Sequence, residues 1–278
     1  MARKPTGTEV IDWEKEMEAQ AAIAAEAQRS TGGGGGKFFS TAAGVLSWDG
    51  TPMPGNRMVV VVLADIIENS YYDGPYDPST PTSPVCFAFA KNEGDLEPHT
   101  AVDNDPYFTR QNDVCNGCPQ NEWGSAATGK GKACKNVMRL GIIPAGTFSE
   151  KGSGRNKAVE FDGLIDDEDH YATAEEAFLK LPVMSVKNYA NFVKQVAADL
   201  KRPPHGVFTE IWIEPDPKSQ YKVMFEPVDK IPNELLKVVM DRHNKLQPAM
   251  NFPYSPPSKE DADQPKTSAS NNKLRRKK

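Results

Sequence analysis

The sequence predicts a mixed β fold with added helices (α+β). Its core is a small, closed, barrel-like sheet of five strands, interrupted by a metal-bound loop and followed by a helix, a β-hairpin and a second helix. Three observations carry this. From Lys37 onward the chain runs in short apolar stretches punctuated by Gly, Pro and Asp, the pattern of strands joined by turns. Three of the four cysteines fall between Cys115 and Cys134, inside one of those turns. From Ser185 the apolar residues take helical spacing, then alternate, then return to helical spacing.

Taken in order, Asp12 to Arg29 is rich in Ala, Glu and Gln with Trp13, Met17 and Ile23 as apolar anchors, and reads as a helical arm. The glycine run Gly32 to Gly36 is a flexible linker, so residues 1–36 are set apart from a domain spanning 37–246. Expected strands are Phe38 to Trp48, Met58 to Asn69, Val85 to Lys91, Lys135 to Ile143 and Leu179 to Met184, with an insertion at about 92–134. Asp162 to Asp169 is too acidic for a core and reads as a solvated loop. Ser185 is the expected N-cap of a helix bearing Val186, Tyr189, Phe192, Val193, Val196 and Leu200, which Pro203-Pro204 ends. Gly206 to Glu214 and Gln220 to Glu226 alternate as a hairpin, and Asn233 to Leu246 forms the last helix. The proline-rich, polar residues 247–278 are expected to be disordered. The architecture is that of an OB-like five-stranded barrel with additions.

With 33 basic and 38 acidic residues the net charge is -5, which argues against bulk polyanion binding but allows a local basic groove. No apolar run is long enough for a membrane helix. The N-terminal residues lead into Trp13-Glu14-Lys15-Glu16 rather than an apolar h-region, so no secretory leader is expected and the expected compartment is a reducing cytoplasm.

In that compartment clustered cysteines favour metal over disulfides. A Cys115-x-x-Cys118 turn aims two thiolates at one tetrahedral ion, and Cys134 returns from the loop as a third ligand. Cys86 is the first choice for the fourth, with His99 its competitor. Four thiolates suit structural Zn²⁺, and an iron–sulfur cluster equally.

Several catalytic readings fail on spacing. Gly124 to Lys130 matches most of a phosphate loop, but Gly131 stands where Ser or Thr must hold Mg²⁺, and the segment lies between two thiols. A zinc deaminase needs a glutamate that His99-Thr-Ala lacks. The four histidines carry no nucleophile context, so the chain is not expected to be an enzyme.

Nucleic-acid binding needs cations beside flat aromatic surface. Lys130, Lys132, Lys135 and Arg139 form the densest positive segment of the folded region, with Trp123 beside them. Tyr71, Tyr72 and Tyr76 occupy a Gly/Pro/Asp loop on the expected opposite rim, Phe87 and Phe89 share one strand face, and Arg57 opens the second strand. Exposed rings stack on unpaired bases and cations contact successive phosphates.

On the strands before Cys86, the Cys115-Asn-Gly-Cys118-Pro-Gln-Asn-Glu-Trp123-Gly-Ser block through Cys134, and the helix and hairpin from Ser185 to Pro227, the chain resembles the zinc-containing single-stranded DNA-binding proteins of bacteriophages. The resemblance implies an OB-type domain whose metal-bound insertion holds the binding loop. It also implies sequence-tolerant binding of single-stranded DNA in replication, recombination or repair inside the infected host cell. Many such proteins end in an acidic, partner-recruiting tail, whereas Lys273 to Lys278 is basic. Replication or recombination partners are therefore expected at the tail or the N-terminal arm. The rival expectations are a zinc-stabilised protein-interaction adaptor or virion component, and a metal-dependent nucleic-acid enzyme.

Overall fold

The longest apolar run, Arg57 to Tyr71, makes the central strand of the sheet. Its valines and isoleucines are β-branched and nearly every position is buried, as in a strand covered on both faces. The computed structural model of the chain describes residues 38–74, 83–152 and 158–257. In those residues the strands are β1 (Phe38–Phe39), β2 (Ser47–Trp48), β3 (Thr51–Pro52), β4 (Arg57–Tyr71), β5 (Cys86–Ala90), β6 (Lys135–Lys151), β7 (Ala158–Leu164), β8 (Ala177–Leu181), β9 (Val207–Asp216) and β10 (Gln220–Lys230). The helices are α1 (Ala101–Asn104), α2 (Glu168–Thr173), α3 (Val183–Gln195) and α4 (Asn233–Leu246). None of them is long and apolar enough to cross a membrane.

The main sheet runs β1-β8-β6-β4-β9-β10, with β5 added to β4 and β7 to β6. All its pairs are antiparallel except β1 with β8. Among the described residues nothing joins β1 to β10, so the sheet is open and the expected five-stranded closed barrel is corrected. The physical reason lies in β4 and β6, which run 15 and 17 residues. Each carries two short strands end to end along one edge, β9 and β5 on β4, β8 and β7 on β6. The sheet widens instead of curling, and helices rather than its own far side cover its faces.

A register shift between Val62 and Ala64 decides which side chains reach the site. Before it, Met58, Val60 and Val62 join Tyr189 and Phe192 of α3, while Val59, Val61 and Leu63 join Leu235 and Val239 of α4. Ala64 and Ile66 then also face the α4 side, because the bulge reverses the alternation. Glu68 is thereby turned to the α4 face and Asn69 to the other.

α3 begins at Val183, two residues before the expected cap. Ser185 is instead fully buried, and its Oγ accepts from Val223 N at 2.9 Å, tying the helix to β10. The helix ends in a π turn over Val196–Leu200, and Lys201 in the left-handed region (φ 56) stops it before the two prolines. β9, β10 and α4 lie where the pattern puts them.

Three expectations change. Phe38 to Trp48 is not one strand but two, broken by a turn at Ala42–Gly44. The acidic stretch from Asp162 contains the end of β7 and the start of α2, whose first turn Asp167 caps by accepting from Asp169 N at 3.0 Å. The folded body also runs past 246. Met250 is fully buried beside Gly141, where a Cβ would stand 2.7 Å from Leu246 Cδ2 and 3.1 Å from Met250 Sδ. The helical arm, the glycine linker, Tyr76 and the tail from 258 lie outside the described residues.

Candidate functional site

All four cysteines are free thiols and line one cavity of about 20 Å³, room for about one water or ion. Cys86 comes from the start of β5, opposite Tyr71 of β4. Cys115 is anchored where its N–H donates to Leu96 O at 3.0 Å. Gly117, at φ +77, supplies the left-handed step that turns the chain within the four-residue knuckle. Cys118 O then accepts from Asn121 N at 2.8 Å, and Cys134 N donates to Gln120 O at 2.7 Å just before β6 begins. Among the described residues no three His, Cys, Asp or Glu side chains are closed into a ready-made cation site.

The donor set still fits a thiophilic ion. Burial pushes Cys115 up to about 11, with the Asn69 side chain opposing it, and pushes Cys134 up to about 12. Cys86 is also raised by burial. Protonated, these are inert thiols, and binding a metal must displace their protons. His99, the competing ligand, does not line the cavity. Its Nδ1 accepts from Ala101 N at 3.1 Å and its ring stacks on Phe87 at 5.5 Å.

Between the knuckle and Cys134 the loop closes on itself. Gly124 N and Ala126 N both donate to Gly131 O, at 3.0 and 3.1 Å, while Ser125 Oγ donates to Gln120 O and accepts from Ala133 N. Three asparagines fasten it to the sheet. Asn121 Nδ2 donates to Cys115 O at 3.0 Å, Asn136 Nδ2 donates to Asn121 Oδ1 at 3.0 Å and to Asn69 Oδ1 at 2.6 Å, and Lys132 Nζ donates to Asn121 Oδ1 at 3.3 Å. Trp123 stands 79 % exposed at the rim with Lys132 Nζ 5.9 Å from its ring centroid, and Lys130 and Lys135 are exposed on the same loop. Residues 124–131 have neither a preceding strand nor a following helix, so the phosphate-loop geometry is absent.

Four sequence candidates thus gather on the loop, and the other candidates among the described residues do not join them. Arg139 is 2 % exposed and forms a buried ion pair with Glu68, Nη2 to Oε2 at 2.8 Å and Nε to Oε2 at 2.9 Å. Its guanidinium lies between the rings of Phe89 at 4.6 Å and Phe252 at 4.1 Å, so it is a core cation rather than a phosphate contact. Phe87 is buried against Phe108 and Tyr254, and the half-buried Phe89 packs on Arg139 and Tyr254. Tyr71 is half-buried along the thiol cavity, and Tyr72 is half-buried. Arg57, at the other end of β4, pairs with Glu210 at 2.9 Å and covers Phe148.

Sequence reasoning missed the Glu68 cluster. Lys180 Nζ reaches Glu68 Oε1 at 2.5 Å, the Tyr254 hydroxyl donates to the same carboxylate, and Arg139 Nη1 donates to Phe252 O at 3.2 Å. Burial works to raise the Glu68 pKa, but the Lys180 and Arg139 charges outweigh it and hold the carboxyl below its ordinary value. The available signal was a charge within the apolar part of each of two strands, Glu68 in β4 and Arg139 in β6. Comparison with known proteins finds no matching family model, no matching curated protein and no matching solved structure.

Proposed function

We propose that this chain is a non-enzymatic, sequence-tolerant single-stranded DNA-binding protein in which Cys86, Cys115, Cys118 and Cys134 hold a structural Zn²⁺ that fixes the loop from 115 to 135. The observation that carries the reading is Trp123, 79 % exposed beside Lys132 on a loop whose two ends return to the thiol cavity. An indole left in water on an anchored loop is a stacking platform, and every base offers it a π-face. Such a ring reaches unpaired bases, whereas those of a duplex are already stacked. Lys130, Lys132 and Lys135 supply the phosphate contacts. The ion supplies a cross-link between β5, the knuckle and the start of β6, and no chemical step is assigned to it. The assignment to replication, recombination or repair of phage DNA rests on the resemblance of the cysteine block.

The test is titration of the metal-loaded protein against an unstructured strand and the matching duplex at two salt concentrations. Strand preference with strong salt dependence supports the reading; equal affinity for both, or none, defeats it. A second reading, a protein-interaction adaptor, is favoured by β7, which leaves Val159 and Phe161 exposed at 37 % and 43 % on a sheet edge.

A further inference from the structure

Asn69 sits in the middle of the sheet at 2 % exposure, yet its Nδ2 has no hydrogen-bond partner. Its orientation is forced by the hydrogen bonds around it. Asn121 must present Nδ2 to the Cys115 carbonyl, so its Oδ1 faces Asn136. Asn136 then spends its Nδ2 on Asn121 and on Asn69, which must therefore offer Oδ1. What remains of Asn69 is a buried amide donor on the wall of the cavity that Cys115 also lines.

A neutral thiol is a poor acceptor and a thiolate a strong one. An unpartnered buried donor is costly, and a metal-bound sulfur on the same cavity wall would give this one an acceptor. We propose that Asn69 is a positioning residue of the metal centre, its Nδ2 donating to the Cys115 sulfur when the ion is bound. This rests on the metal reading above, and it deepens it by giving the unpartnered amide on the cavity wall a place in the centre. The Asn69–Asn136–Asn121 chain is what keeps the donor aimed, and it continues to Lys132 at the rim.

The test uses the full chain and two variants. Asn69→Asp keeps the acceptor for Asn136 and loses the donor; Asn69→Ala loses both. Zn²⁺ affinity is measured by chelator competition, melting is followed with and without Zn²⁺, and the thiolate-to-metal band is recorded after Co²⁺ loading. Both variants are expected to bind Zn²⁺ about 10- to 100-fold more weakly. The Co²⁺ band should move to longer wavelength, and the melting loss of Asn69→Ala, part of which comes from the lost Asn136 bond, should be larger in the metal-loaded form than in the metal-free one. Wild-type affinity and an unmoved band in both variants would overturn the assignment while leaving the metal centre in place. Equal destabilisation of the metal-free and loaded forms would overturn it in favour of simple packing. A wild-type chain that takes up neither ion would remove the metal reading and this assignment together.

Discussion

Replacing Trp123 by Ala separates the binding role of the loop from its contribution to folding. The indole is 79 % exposed, and Lys132 Nζ lies 5.9 Å from the ring centroid. Little apolar area is buried there, and surface substitutions away from special features change stability by about 0.5 kcal/mol or less. For a chain of this size that moves the melting temperature by about 2 °C at most. A base stacked on the ring is worth about 1 to 3 kcal/mol, so strand affinity should fall by a factor of about 5 to 150. Trp123→Phe keeps a ring and should lose less. The assay is fluorescence anisotropy of a labelled polythymidine strand, with melting followed on the same preparations. Unchanged affinity in Trp123→Ala would refute the stacking argument. Loss of affinity together with a collapse in melting temperature would refute the premise that the ring is only surface.

Changing Lys130, Lys132 and Lys135 together to Ala should weaken binding to all sequences and reduce the salt slope by about 2, three contacts at about 0.7 each; an unaltered slope would remove them from the interface. Cys118→Ser should release metal and melt the loop while the main sheet persists, and a variant with full metal content would exclude that ligand. Arg139→Ala should cost about 3 kcal/mol of stability, the low end for breaking a buried pair, because Glu68 loses Arg139 but keeps Lys180 and Tyr254; a phosphate contact would instead have cost affinity alone. Glu68 also sets a pH dependence. Its folded pKa lies below the ordinary value of 4.5, so the stability it contributes is present above that value and is lost as pH falls through the folded one. Denaturant unfolding of Glu68→Gln should lack this acid-side loss, and an identical pH profile would contradict the assignment.

Elements whose pattern is local were legible in the sequence. β4, the β9–β10 hairpin and α4 each carry a full period of apolar residues over ten or more positions, and they fall where spacing puts them. The closure of the sheet was not, because it depends on which edges pair, and β7 hid its presence by exposing most of its residues among acidic ones. Arg139 was misread because it follows Lys130, Lys132 and Lys135 closely in sequence. Once β6 begins at Lys135, alternation between Val137 and Arg139 on one face and Met138 on the other turns the guanidinium inward. Residues 250–254 looked like tail because prolines surround them, although Met250, Phe252 and Tyr254 are the residues that cover Arg139 and Glu68. Of the site, cysteine spacing pointed to the knuckle and the loop. Asn69 was invisible, since one asparagine near the end of an apolar strand says nothing until the bulge before it fixes its face.

The most direct test of a metal-held loop that binds unpaired DNA is a strand titration before and after chelation, with tryptophan fluorescence, referenced to Trp123→Phe to isolate the Trp123 signal, and sheet circular dichroism followed together. The account predicts tight, salt-sensitive, strand-preferring binding that quenches the indole and disappears on chelation, returns with Zn²⁺, and leaves the sheet signal standing. Binding that survives removal of the metal unchanged, or a protein that never carried one, would contradict it.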